Sequence, residues 1–114
     1  MTILVGADLS VKHCKPCEGG TPALSEAVLA EYLKQVQGWE LLKEMKIAKS
    51  FKFPNFRKAL EFTNRVGELA ESEGHHPDIF LSWGKVKIEL CTHAVKGLSE
   101  NDFILAAKID GLPK

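Results

Sequence analysis

Polar and apolar positions alternate most cleanly between Lys85 and His93. Val86, Ile88, Leu90 and Thr92 fall on one side, and Lys85, Lys87, Glu89, Cys91 and His93 on the other. A period of two marks a strand with one buried face. Ile79 to Trp83 reads as its partner, the two turning at Gly84. Continued to its end, the alternation puts His93 outside the apolar layer, on the face of Lys87, Glu89 and Cys91. Upstream, Trp39–Leu42 and Ile47–Phe53 give a second hairpin, with Phe51 and Phe53 on one face and Lys52 between them. Its turn around Lys43–Lys46 lacks the Asn-Gly signature of the tightest hairpins.

Three segments carry helical spacing instead. Leu24, Val28, Leu29, Tyr32, Leu33 and Val36 form one apolar stripe, introduced by Thr21 as N-cap with Pro22 in the first helical position and ended by Gly38. Phe56, Ala59, Leu60, Thr63, Val66, Gly67 and Ala70 form a second, capped by Asn55 and closed near Glu73-Gly74. The third has the strongest start signal. Ser99 stands at the N-cap, Asp102 at the third helical position, and Leu98 and Phe103 at the positions of a hydrophobic staple; Gly111 ends it. The predicted order is α-β-β-α-β-β-α. This is an α+β fold, a four-stranded antiparallel sheet with three helices on one face and the other face partly open.

The 114 residues suit one domain, with 45% apolar and 26% charged residues as in an ordinary folded globule. Residues 1–20 read as an irregular arm and 21–114 as the domain. Fifteen basic and fifteen acidic residues cancel, which argues against a nucleic-acid binder driven by phosphate neutralisation. No apolar run approaches the roughly 20 residues that span a bilayer, and the N-terminus lacks the pattern of a signal peptide. With three cysteines, an odd number, a reducing cytoplasmic setting is expected.

The chemistry-bearing residues concentrate around Gly74-His75-His76-Pro77. Imidazoles titrate near neutrality and are suited to moving protons. A hairpin of the last two strands returns His93 towards His75 and His76, with Glu71 one helical turn before Gly74. A solvated loop accounts for the same residues without function. A zinc site is the rival chemistry, but side chains of adjacent histidines diverge and the H-E-x-x-H spacing is absent. Acid–base work is the better reading of the group. His13-Cys14-Lys15-Pro16-Cys17 contains a C-x-x-C with no second pair, and reads as a turn with two free thiols. Among the aromatics Trp39, Phe51, Phe53 and Trp83, most are expected in the core, with one or two left to stack on a flat heterocycle.

Glu71, His75-His76-Pro77, Trp83, His93 and Asp102 together resemble the signature of the pterin-4a-carbinolamine dehydratases (4a-hydroxytetrahydrobiopterin dehydratases). Gly38-Trp39, Phe51-x-Phe53, Asn55-Phe56 and Thr92-His93 with Gly97-Leu98-Ser99 also look like family positions, and Cys14-x-Pro-Cys17-Glu-Gly-Gly resembles one branch. The resemblance implies the same α+β fold. It implies a hydro-lyase that removes water from 4a-hydroxytetrahydropterin to give quinonoid dihydropterin, in recycling the pterin of aromatic amino acid hydroxylation. No metal or organic cofactor is implied. Partners would be the pterin, copies of the chain in a homodimer or homotetramer, and an aromatic amino acid hydroxylase in the same pathway, without nucleic acid or membrane. The catalytic set would be His75, His76 and His93: His75 and His93 as acid–base pair, His76 against the pterin or its hydroxyl. Glu71 would orient or charge a histidine, Pro77 would fix the loop, and Trp39 and Trp83 would help hold the pterin. Gly74 departs from the pattern, standing where many members carry an acid or amide. Relatives on this scaffold that serve transcription-factor dimers or Rubisco assembly make a non-catalytic partner-binding protein the alternative.

Overall fold

A computed structural model describes residues 9, 11–14, 23–95 and 97–114. Helix α1 spans Glu26–Gln35, followed by β1 (Glu40–Leu41), β2 (Ile47–Lys52), α2 (Phe56–Glu73), β3 (Asp78–Ser82), β4 (Lys85–Leu90), a 3-10 turn (His93–Val95) and α3 (Glu100–Asp110). The four strands form one antiparallel sheet in the order β1-β2-β4-β3. The element order is the one the periodicity predicts. Joining the two hairpins through β2 and β4 puts the two best-alternating strands at the centre.

One face of the sheet meets the helices. Ile47 and Phe51 of β2 and Val86, Ile88 and Leu90 of β4 are buried there against Phe62 and Val66 of α2 and Phe103 of α3. Full burial of side chains this large is worth about 1.5–3 kcal/mol each. On β3, the more buried Ile79 and Leu81 alternate with exposed Asp78, Phe80 and Ser82. That pattern fits a strand on the sheet edge with one side facing water. Among the described residues no helix is long and apolar enough to cross a membrane.

Several boundaries differ from expectation. Thr21 and Pro22 lie outside the described residues. The first helix begins instead at Glu26, because Ser25 turns its hydroxyl back to accept the Val28 N–H at 3.4 Å. Leu24 precedes the helix, its N–H donating to the Leu98 carbonyl at 3.0 Å. On α2 the buried stripe is Ala59, Phe62, Val66 and Ala70, so Phe62 replaces Leu60 and Thr63 at its centre while Phe56 is largely exposed. The hairpin turn carries its irregularity at Met45, at φ 60°. The non-glycine left-handed conformation there costs about 1–2 kcal/mol. Strand β4 stops at Leu90 rather than reaching His93. Thr92 instead bridges to Gly97, its N–H donating to the Gly97 carbonyl at 2.8 Å, and His93 opens the 3-10 turn. Finally, Leu9 of the expected irregular arm is 1% exposed and belongs to the core.

Candidate active site

Gly74 closes α2 in the left-handed conformation, at φ 65°, with its N–H directed at the carbonyls of Ala70 and Glu71. Glycine adopts this geometry without steric cost, which sets the direction in which the chain leaves the helix. Pro77 restricts the next turn, and β3 starts at Asp78. The β3–β4 register pairs Asp78 with Glu89. Extending that register by three residues on each strand sets His75 opposite Thr92.

At that meeting point stands Asp102, at the start of α3 and fully buried. Its Oδ1 lies 2.6 Å from His75 Nε2. Its Oδ2 accepts the Thr92 hydroxyl at 2.8 Å and the Ser99 N–H at 3.0 Å. The Ser99 and Thr92 hydroxyls are 2.8 Å apart. A carboxylate taken out of water loses several kcal/mol of solvation, so it needs such a set of donors. A carboxylate has no proton to give. His75 therefore donates its Nε2–H to Oδ1, which leaves Nδ1 as its second exchangeable nitrogen. The His75 side chain is 11% exposed.

His93 is exposed and sits one residue beyond Thr92. With Cys91, Thr92, Glu44, Met45, Lys46 and Gly97 it lines a cleft of about 250 Å³. Its Nε2 is 3.9 Å from Cys91 Sγ. Burial raises the Cys91 thiol above its ordinary range, and the charge of Asp102 adds to the rise, so the thiol stays protonated. His75 and His76 do not line this cleft. The link between His75 and the cleft runs through Asp102 and Thr92. His76 faces outward, its Nε2 in a close contact with Glu71 Oε2 across the helix end. Both side chains are largely exposed.

The remaining predicted site residues are dispersed. Trp39 is buried in the core, its indole N–H donating to Asp110 Oδ2 at 3.1 Å and its ring edge-on to Phe51. Trp83 is 68% exposed in the β3–β4 turn, at the end of the hairpin away from His75. Pro77 is half-buried between His76 and β3. Among the described residues, no three His, Cys, Asp or Glu side chains converge as metal ligands.

Two members of the group escape reading from local sequence. Asp102 is legible as a helix cap, and its second oxygen, free for a distant histidine, is not. Thr92 reads as a strand position on the apolar face. The available signal was the staple itself: Leu98 and Phe103 flank an acid that must then lie at the core boundary, where it needs more than one donor.

Residues 22–112 match the profile of the family described as pterin 4 alpha carbinolamine dehydratase. A protein of Rubrobacter xylanophilus, provisionally named pterin-4-alpha-carbinolamine dehydratase, is 49% identical over 106 residues, covering 93% of this chain and 99% of its own. Among solved structures, a transcriptional coactivator/pterin dehydratase from Brucella melitensis superposes with TM-score 0.75 at 32% identity, over 78% of this chain and 96% of that one. A pterin dehydratase-like protein identified as a RuBisCO assembly factor in the alpha-carboxysome shares the fold at TM-score 0.57 and 23% identity, over 66% of this chain and 88% of that one.

Proposed function

The chain belongs to the pterin 4 alpha carbinolamine dehydratase family, and from that premise we propose that it converts 4a-hydroxytetrahydropterin to quinonoid dihydropterin and water by histidine proton transfer. The observation that carries the reading is His75 Nε2 held 2.6 Å from the fully buried Asp102. Asp102 fixes the tautomer and the plane of the ring, which leaves Nδ1 to exchange the proton. The same logic operates wherever a buried carboxylate backs a catalytic histidine.

The reaction needs one proton delivered and one removed. The carbon–oxygen bond at C4a breaks as the departing hydroxide is protonated to water, and a ring nitrogen of the pterin loses its proton as the quinonoid system forms. His75 and His93 take these two roles. His93 stands exposed in the cleft beside Thr92, and in this reading it meets the substrate there. Each such transfer contributes typically about 10²–10⁴-fold. His76, paired with Glu71 on the exposed side of the helix end, is assigned the contact with the pterin or its hydroxyl. The acting unit is a homodimer or homotetramer, as the family implies.

The test is to generate 4a-hydroxytetrahydropterin in situ and follow its ultraviolet decay with wild type, His75→Ala and His93→Ala. Faster decay with wild type, mostly lost in both variants, is the expected result. Decay at the uncatalysed rate with wild type would sink the dehydratase reading.

A further inference from the structure

The Cys14 region is unused by the chemistry above, yet it touches both segments that present the central pair, one through the Glu73 carboxylate and the other through the Asn101 carbonyl. The Cys14 N–H donates to Glu73 Oε1 at 2.8 Å, and its Sγ lies 3.6 Å from the Asn101 carbonyl. Glu73 ends α2, two residues before His75. Asn101 immediately precedes Asp102. One residue thus bridges the segment that carries His75 and the segment that carries Asp102.

Neighbouring contacts reinforce the bridge. The Glu73 side chain is only 5% exposed, and its Oε2 also meets His13 Nδ1 at 3.1 Å and Lys108 Nζ of α3 at 3.5 Å. Lys12 Nζ reaches Glu100 Oε2 at 2.7 Å, and the Tyr32 hydroxyl donates to the same oxygen at 3.0 Å. Leu9 anchors the segment in the core.

We propose that Leu9 and residues 11–14 form a clasp, with Glu73 as its positioning residue, that sets the spacing between the end of α2 and the start of α3 and so holds His75 on Asp102. Glu73 acts through the backbone and touches no substrate. The value of the clasp to the reaction rests on the dehydratase reading; its effect on His75 does not. A shift of about 1 Å at a reacting group costs on the order of 10²-fold in rate, so a partial loosening should cost about tenfold. The Cys14 thiol suits a packing role over a redox one. Burial, then the charge and hydrogen bond of Glu73, push its pKa up to about 12, so it carries almost no thiolate near neutrality.

The experiment uses full-length wild type, Glu73→Ala, Glu73→Gln and Cys14→Ala. Nuclear magnetic resonance reads the ring N–H of His75, assigned with His75→Gln, and the same proteins are assayed for kcat and KM. Glu73→Ala should speed exchange of the His75 Nε2 proton, leave His93 signals in place, and lower kcat about tenfold with KM within about twofold. Glu73→Gln, whose amide oxygen still accepts the Cys14 N–H, should recover part of both losses. Cys14→Ala should show a smaller change of the same sign. A lower melting temperature with the His75 signal and kcat unchanged in these variants would overturn the clasp. If Glu73→Ala does not fold, Glu73→Gln and Cys14→Ala decide by the same readouts. If wild type has no dehydratase activity, the His75 signal alone decides, so the two proposals fail separately.

Discussion

His75 and Asp102 are separated by 27 positions in the chain and by 2.6 Å between Nε2 and Oδ1. Asp102→Asn keeps the shape and removes the charge. The amide offers one oxygen where two were used, so one of its three donors is left facing an N–H. We expect unfolding to become easier by about 1–3 kcal/mol, the cost of leaving a buried polar group unpaired. The dehydratase rate should fall by at least about 10²-fold, because the ring is no longer held in the tautomer that presents Nδ1 for proton exchange. Urea unfolding and the ultraviolet decay assay check the two effects on one preparation.

Glu71 and His76 should couple weakly. Their contact is exposed on both sides, and pairs of that kind contribute about 0.2–1 kcal/mol. A double-mutant cycle on stability with Glu71→Gln and His76→Gln should return a coupling within that range at low salt and less at high salt. Coupling above about 2 kcal/mol would contradict the exposed geometry.

Gly74→Ala should destabilise the fold by about 1 kcal/mol, because φ 65° is strained for any side chain although the space beside it is open. Gly74→Asn should cost less, since asparagine tolerates the left-handed region. The same Gly74→Asn tests whether an amide at this position raises the rate. Thermal melts and the decay assay answer the two questions.

Glu73 predicts an acid-side signature. Burial alone would raise its carboxyl, but the Cys14 N–H, His13 and Lys108 outweigh that and hold it below the ordinary value of 4.5. A depressed folded-state pKa gives stability that is fully present above the unfolded value and is lost as pH falls through the folded one. The stability difference between wild type and Glu73→Gln should therefore be constant above about pH 6 and shrink below about pH 4.5. Urea midpoints taken from pH 7 down to pH 3 measure it.

Cys14 and Cys91 should both resist alkylation in the native protein at pH 8, since burial raises both thiols. Iodoacetamide labelling read by peptide mass spectrometry should show slow modification at these two positions, and rapid modification once urea exposes them.

The helix and strand pattern was legible because each element carries its own period. Val86, Ile88 and Leu90 alternate as a strand must, Asn55 and Ser99 carry the side-chain chemistry of N-caps, and Gly74 has the backbone freedom its C-cap requires. The boundary errors have local causes. Ser25 caps α1 at Glu26, and Thr92 leaves the β4 ladder because its backbone N–H is taken by the Gly97 carbonyl. In the site, hairpin geometry sets His75 opposite Thr92, and the two meet through Asp102. The partnership with Asp102 was not legible, because a side chain's second oxygen has no periodicity. The burial of Trp39 and the outward position of Trp83 were equally silent, since an aromatic beside a strand fits either place.

Asp102 is both the acid that starts α3 and the ligand that holds His75. Protein synthesis runs from the N-terminus, so His75 is made 27 residues before its anchor. A nascent chain that has already paired its four strands still lacks the residue that steadies the histidine. The ring is gripped only when the last helix has been made and has docked, and that same docking completes the core through Phe103. A partly synthesised or partly unfolded chain therefore holds the histidine without its anchor, and the His75–Asp102 arrangement arrives together with completion of the fold.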